Sequence, residues 1–176
     1  MPAAVIRTAT PADIPAITRI YAHAVAHGTA SFEIVSPDEA EMAHRQRTLL
    51  DGGYPYIAAT SDGTLLGYAY AGPYRPRVAY RFSVEDSIYI DPQAQRRGIG
   101  RLLLDRLIAE SEQRGFRQMI AVIGDSAQTA SIELHRAAGF RLIGNIENVG
   151  YKFDRWLDSV LMQRALGPGA TTAPGG

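Results

Sequence analysis

Apolar residues recur at helical spacing in four stretches of the chain and alternate or run together in seven others. AVIRTA reads as a short first strand. TPADIPAITRIYAHAV then supplies Thr10 as N-cap, Pro11 at the first helical position, and Ile14, Ile17, Tyr21 and Ala24 on one face. A second helix follows in SPDEAEMAHRQRTLLDGG, where Ser36, Pro37 and Glu39 form a capping-box arrangement and Gly52–Gly53 provides the stop. PYIAAT and TLLGYAYAGP are strand-like runs joined around Ser61–Asp62–Gly63, a hairpin signal, and YRFSVEDSIYID has the β-branched and aromatic content of a further long strand. Three strands in succession imply antiparallel pairing. GIGRLLLDRLIAESEQRG predicts a third helix with Ile99, Leu102, Leu103 and Leu107 facing inward and Gly115 at its end. QMIAVIG is apolar enough for a buried strand, SAQTASIELHRAAG is a fourth helix closed by Gly139, and FRLIGNI and DSVLMQRAL are final strands. The order gives an α/β fold, a mixed sheet of about seven strands covered by four helices. Within it, residues 88–123 form a right-handed β-α-β crossover.

Composition narrows what such a sheet does. At 176 residues and 46% hydrophobic, the chain suits one compact domain, expected over residues 1–166. The last ten residues, GPGATTAPGG, lack bulky apolar groups and are expected to form a disordered tail over 167–176. Eighteen Lys plus Arg balance eighteen Asp plus Glu, so no global field draws the protein to nucleic acid or to an anionic membrane, and neither is expected as a partner. The absence of cysteine removes disulfides, thiolate nucleophiles and cysteine zinc sites. His23, His27 and His44 have no metal-ligand spacing with carboxylates, so they read as structural or surface groups and no metal is expected. MPAAVIRTAT has no charged leader pattern, and no window reaches ~18 apolar residues, so the expectation is a soluble cytoplasmic protein.

The distinctive chemistry lies at one strand-to-helix junction. QRRGIG, Gln95 to Gly100, falls between SIYIDP and the third helix. Ligands of open α/β sheets favour this position. Gly98 and Gly100 let backbone approach a bulky anion, and the first helical turn leaves about four N–H groups unpaired to hold phosphate oxygens. Arg96, Arg97 and Arg101 add charge-assisted contacts. The other reading is an ordinary glycine-containing turn with solvated arginines. The pattern is not GxGxxG, because position 103 is Leu, and no GK[ST] follows, which disfavours nicotinamide and nucleoside triphosphate ligands.

Gln95-x-x-Gly98-x-Gly100 after a strand and before a leucine-rich helix resembles the pyrophosphate motif of the GNAT acyl-CoA N-acyltransferases. TASFE (29–33), GPYRPRVAYRFSVEDSIYI (72–90), AVIGDSAQTASIELHRAAGF (121–140) and VGYKFDRWLD (149–158) are similar to the phosphinothricin and methionine sulfoximine N-acetyltransferases, and the likeness covers about residues 4–165. The resemblance implies a GNAT fold with splayed strands forming an acetyl-CoA cleft. In it Ile88, Tyr89 and Ile90 would bind the pantetheine arm, and Arg96, Arg97, Gly98, Ile99, Gly100 and Arg101 the pyrophosphate. Gln128 stands where close members usually carry Asn near the pantetheine; with Ser131 it completes the implied cofactor contacts.

For chemistry the resemblance points to Glu85 in SVED as general base, against the plainer reading of an edge-strand surface charge. Strand alternation sends Asp86 to the opposite face, so the two carboxylates cannot both face the substrate. His135, in LHRAAGF, falls where many members of the superfamily carry a thiolate-protonating Tyr; it would donate a proton, hold a water, or simply pack. Arg75 or Arg77 would receive a substrate carboxylate, and Phe32 would wall the acceptor pocket. Lys152 and Trp156 would line the same cleft or a dimer contact. The implied activity is acetyl transfer from acetyl-CoA to the α-amine of a small amino-acid-like acceptor, by a homodimer. Peptide N-termini or polyamines as acceptors, and a nonenzymatic acyl-CoA-binding domain, are the alternatives.

Overall fold

The computed structural model describes residues 4–175. Along the chain run β1 (Val5–Thr8), α1 (Ile14–His27), α2 (Glu39–Asp51), β2 (Tyr56–Ser61), β3 (Thr64–Pro73) and β4 (Ser83–Ile90). They are followed by α3 (Ile99–Gln113), β5 (Gln118–Gly124), α4 (Thr129–Ala137), β6 (Arg141–Lys152) and β7 (Arg155–Ala165). The strands form one sheet in the order β1-β2-β3-β4-β5-β7-β6. Among the described residues, only β4 and β5 run parallel, joined through α3; every other neighbouring pair is antiparallel.

Strand alternation divides the core in two. On one face Ile57, Ala59, Ala69, Ala71, Val84 and Met119 pack under α3, which docks through Ile99, Leu103, Leu104, Leu107 and Ile108. On the other face Tyr56, Ala58, Tyr68 and Tyr89 meet Ile14, Ile17, Ile20, Tyr21 and Val25 of α1 and Met42 of α2. Tyrosines 56, 68, 70 and 89 stack there as a ladder with ring centroids 5.0 to 6.4 Å apart.

Several local expectations change. Leu102 of α3 is exposed and Leu104 is buried in its place, because the docking stripe follows the 99, 103, 107 and 104, 108 rows. α2 is capped by Asp38 rather than Ser36: Asp38 is extended, and its carboxylate accepts the Glu41 N–H at 2.8 Å. Thr10 does start α1, but through a short 3₁₀ turn, Pro11–Asp13, in which the Asp13 carboxylate accepts from the Thr10 N–H and is clamped by Arg7 at 2.7 Å. At the other end, the Arg117 guanidinium donates to the carbonyls of Gly169 and Ala173 and to Thr172 Oγ1 at 3.1 to 3.2 Å. A single side chain just before β5 thus bonds residues 169, 172 and 173. The last two strands are also longer than their apolar runs, extending to a tight reversal at Phe153–Asp154, both at positive φ.

Candidate active site

The two parallel strands pair over four rungs, from Ser83↔Gln118 to Asp86↔Ala121, and then part. β4 keeps its β3 partner as far as Ile90↔Gly67, and β5 keeps β7 as far as Gly124↔Ser159. Between the inner edges of Ser87–Ile90 and Val122–Gly124 lies a cleft of about 700 Å³, walled by α1, α4 and the loop that opens α3. Main-chain groups that have lost a sheet neighbour line it, and they suit an elongated ligand bearing amides.

Ile88, Tyr89, Ile90, Arg96, Gly98, Ile99, Gly100, Arg101, Gln128, Ser131 and His135 all border this cleft, whereas Arg97, Glu85, Phe32, Arg75 and Arg77 do not. Gly98 is the N-cap of α3 at φ 77, a left-handed conformation natural to glycine, and Arg96 precedes it at φ 59. This reversal turns the first-turn amides of α3 toward the cleft mouth. Gly100 is not demanded by the protein, since a Cβ there would make only ordinary contact with Leu134. Arg101 is partly committed already: its Nε bonds Asp105 at 2.7 to 2.8 Å and its Nη1 the Ala137 carbonyl at 2.9 Å. The unpaired strand edge, the free helix amides and the left-handed glycine together fit a ligand with an amide arm and a pyrophosphate. Among the described residues, no group of three or more His, Asp or Glu side chains is placed to hold a metal ion.

At the closed end of the fork lies a residue that sequence reasoning set aside. Asp86 does point away from Glu85, but toward α4, where its Oδ2 is 2.9 Å from His135 Nε2. His135 Nδ1 lies 2.7 Å from the Ser131 carbonyl, so both ring nitrogens are occupied. The pair is buried, Asp86 7% and His135 4% exposed, and Asp86 Oδ1 has no hydrogen-bond partner. Burial pulls the imidazole pKa down, but the bond and charge of Asp86 and the Ser131 carbonyl outweigh it, leaving a net upward shift. Alternation gave the direction of Asp86; what the sequence lacked was the docking of α4 over that face.

The opposite face of β4 carries Glu85. Burial, and then the neighbouring Asp86 charge, push its carboxyl pKa up to about 7, with Arg75 pulling the other way. Arg75 is exposed, its guanidinium 5.1 Å from the Tyr74 ring centre, while Arg77 precedes the turn Val78–Tyr80. Phe32, 39% exposed, packs against Gly124 and Gly150, where any side chain would overlap its ring.

The segment that carries Phe32 is tied from several sides. Lys152 is buried and donates to the carbonyls of Gly28 and Ser31 at 2.9 and 2.8 Å; that burial lowers its pKa. Gln128 Nε2 donates to Thr29 Oγ1 at 3.0 Å, an intramolecular partner its expected cofactor role did not anticipate. Tyr21 bonds both Ser31 and Glu33, and Arg45 bonds Glu33. Trp156, by contrast, is exposed and meets Tyr151 edge to face.

Comparison with known proteins agrees with this geometry. The acetyltransferase (GNAT) family profile matches residues 18–140. Phosphinothricin N-acetyltransferase of Alcaligenes faecalis is 56% identical over 172 residues, 98% of this chain and 87% of that one. The L-methionine sulfoximine/L-methionine sulfone acetyltransferase of Salmonella typhimurium is 42% identical over 163 residues, 92% and 94% of the two chains. A crystal structure of a phosphinothricin acetyltransferase from Sinorhizobium meliloti in complex with acetyl-CoA superposes with a TM-score of 0.95 at 50% identity, covering 98% of this chain and 93% of that one. With its seven-stranded forked sheet, its helix-opening glycine loop and these relatives, the chain belongs to the GNAT acetyltransferase family and is an N-acetyltransferase.

Proposed function

We propose that this protein moves the acetyl group of acetyl-CoA to the α-amine of a small amino-acid-like acceptor, of the phosphinothricin and methionine sulfoximine kind, in the cytoplasm. One observation carries the reading: Glu85 is half-buried on the last paired stretch of β4 beside the fork, where burial lifts its carboxyl to about 7 and the Arg75 charge pulls the other way. A carboxyl tuned to neutrality can take a proton from an ammonium without being a permanent anion, which is what general-base catalysis asks of it. Arg75, rather than Arg77, carries the charge felt at Glu85, and a guanidinium there suits the carboxylate of an α-amino acid.

The acetyl donor supplies the activated thioester. Ile88, Tyr89 and Ile90 offer main-chain groups to its arm, the amides around Gly98 to Gly100 receive its pyrophosphate, and Ser131 and Gln128 flank it. His135 enters this reading as a buried wall of the fork, bonded on both ring nitrogens. Phe32 closes the acceptor side.

The same reading includes a homodimer. Leu142, Ile143, Ile146, Val149, Tyr151 and Trp156 are exposed on the terminal β6–β7 ribbon, an apolar edge that a second copy would cover. Analytical ultracentrifugation should give twice the chain mass; a monomer at micromolar concentration would remove this part.

Acetyl-CoA turnover measured against free amino acids, phosphinothricin, methionine sulfoximine, polyamines and peptides tests the function. The two named analogues should lead. Turnover with peptides or polyamines alone would replace the proposal.

A further inference from the structure

The fork has two walls, and one buried contact crosses it at its closed end. β4 and β5 make their last rung at Asp86↔Ala121. α4 follows β5 in the chain and travels with that wall. The bond from Asp86 Oδ2 to His135 Nε2 therefore joins the β4 wall to the α4 wall just where the strands begin to separate. Neither partner can swing freely. His135 is held from behind by the Ser131 carbonyl and edge-on by Phe140, ring centres 5.0 Å apart, and Asp86 lies within a paired stretch of strand.

The protonation of the pair follows from its bonds. A carbonyl only accepts, so Nδ1 bears a hydrogen toward Ser131. A carboxylate also only accepts, so a hydrogen on Nε2 completes the bond to Asp86 Oδ2. No ring N–H then remains to be aimed into the cleft.

We propose that Asp86 is a positioning residue for acetyl transfer: with His135 it forms a buried clasp that fixes the separation of the two cleft walls at the end where the thioester lies. This rests on the acetyl-CoA reading above. In that reading the arm runs along Ser87–Ile90 toward the fork, so the clasp governs the acyl end of the donor and leaves the phosphate end to the α3 loop. His135, locked on both nitrogens, serves as half of the clasp and not as the donor of a proton to the departing thiolate.

Calorimetric titration of two probes separates the clasp from general stability. Acetyl-CoA spans the whole cleft, whereas adenosine 3′,5′-bisphosphate occupies only the phosphate end. Asp86→Ala, which removes the carboxylate and leaves His135 Nε2 without its partner, should weaken acetyl-CoA binding by about tenfold or more while moving the fragment by less than about twofold. His135→Gln should do the same from the other side. The uncharged pair Asp86→Asn/His135→Gln, able to bond amide to amide, should recover much of the acetyl-CoA affinity. In the wild type, nitrogen-15 spectra of histidine-labelled protein at pH 7 should show both His135 ring nitrogens protonated.

Unchanged acetyl-CoA affinity in both single variants overturns the clasp. So does a loss confined to kcat that the double variant fails to recover, since that would mark a proton donor. An unprotonated Nε2 in the wild type overturns it without any variant, should the singles not fold. Wild-type protein that binds no acetyl-CoA would instead fail the functional reading itself, a result distinct from all of these.

Discussion

Glu85 and Asp86 are neighbours in sequence and belong to different sides of the molecule. Alternation sends the first to the α1–α2 face and the second to α4, so one strand segment presents a base to the acceptor and a clasp to the donor cleft. Their closeness matters electrically too, because the Asp86 charge helps hold the Glu85 carboxyl near pH 7. Glu85→Gln should lower kcat by ~10²-fold or more at neutral pH with acetyl-CoA affinity nearly intact, and activity should recover partly at high pH, where free amine is abundant. The wild-type kcat should climb as pH rises through about 7, following ionisation of Glu85. Steady-state kinetics from pH 5 to 9 check both, and full activity of the variant at pH 7 would reduce Glu85 to a surface carboxylate. At this scale the sequence was informative where strand alternation alone decides, as in sending Glu85 and Asp86 to opposite faces of β4. It was silent where the partner is remote, as with Lys152 reaching Gly28 and Ser31, or Gln128 reaching Thr29.

Among the elements, the α3 junction shows which glycine matters and why. Gly98 is fixed at φ 77 as N-cap, whereas Gly100 is helical with room for a small side chain. A β-branched residue is strained in that left-handed conformation, and moving it off turns the first-turn amides away from the cleft. Gly98→Val should therefore weaken acetyl-CoA binding by roughly tenfold or more, about what losing one or two charge-assisted bonds to a phosphate costs. Gly100→Ala should cost far less. Calorimetry on both variants decides this, and equal affinities for wild type and Gly98→Val would remove the loop from the cofactor site. Element type and order were readable from periodicity and punctuation, because hydrophobic spacing and Gly–Pro stops act locally. The cap at Asp38, the burial of Leu104 over Leu102 and the length of the β6–β7 ribbon were not, since each depends on what packs against the element.

At the scale of the whole molecule, a base kept near pH 7 carries a cost in stability. Burial holds the carboxyl of Glu85 up at about 7 in the folded protein, against an ordinary value of 4.5. Between those values the folded state binds more protons than the unfolded one, so this group makes stability fall as pH rises from about 4.5 toward 7, with no further loss above. Glu85→Gln should therefore raise the melting temperature relative to wild type at pH 8 and lose that advantage near pH 4.5. Calorimetric melts at the two pH values measure it, and an advantage that does not depend on pH would contradict the buried carboxyl. The sheet was foreseeable as a mixed α/β layer from periodicity, and its splayed strands from the family resemblance alone, since the parting of β4 from β5 after four rungs is a property of two strands and the helices over them.

With Arg75 as the fork and Glu85 as the base, the acceptor we propose is a carboxylate-bearing amino acid. The most direct measurement compares kcat/KM for methionine sulfoximine with that for its decarboxylated amine, on wild type and on Arg75→Lys. A ten- to hundredfold preference for the acid is expected on wild type, the equivalent of ~1.5–3 kcal/mol for a charge-assisted bidentate contact, with most of it lost in the lysine variant, whose ammonium cannot reproduce the fork. Equal kcat/KM for acid and amine on the wild type would contradict it.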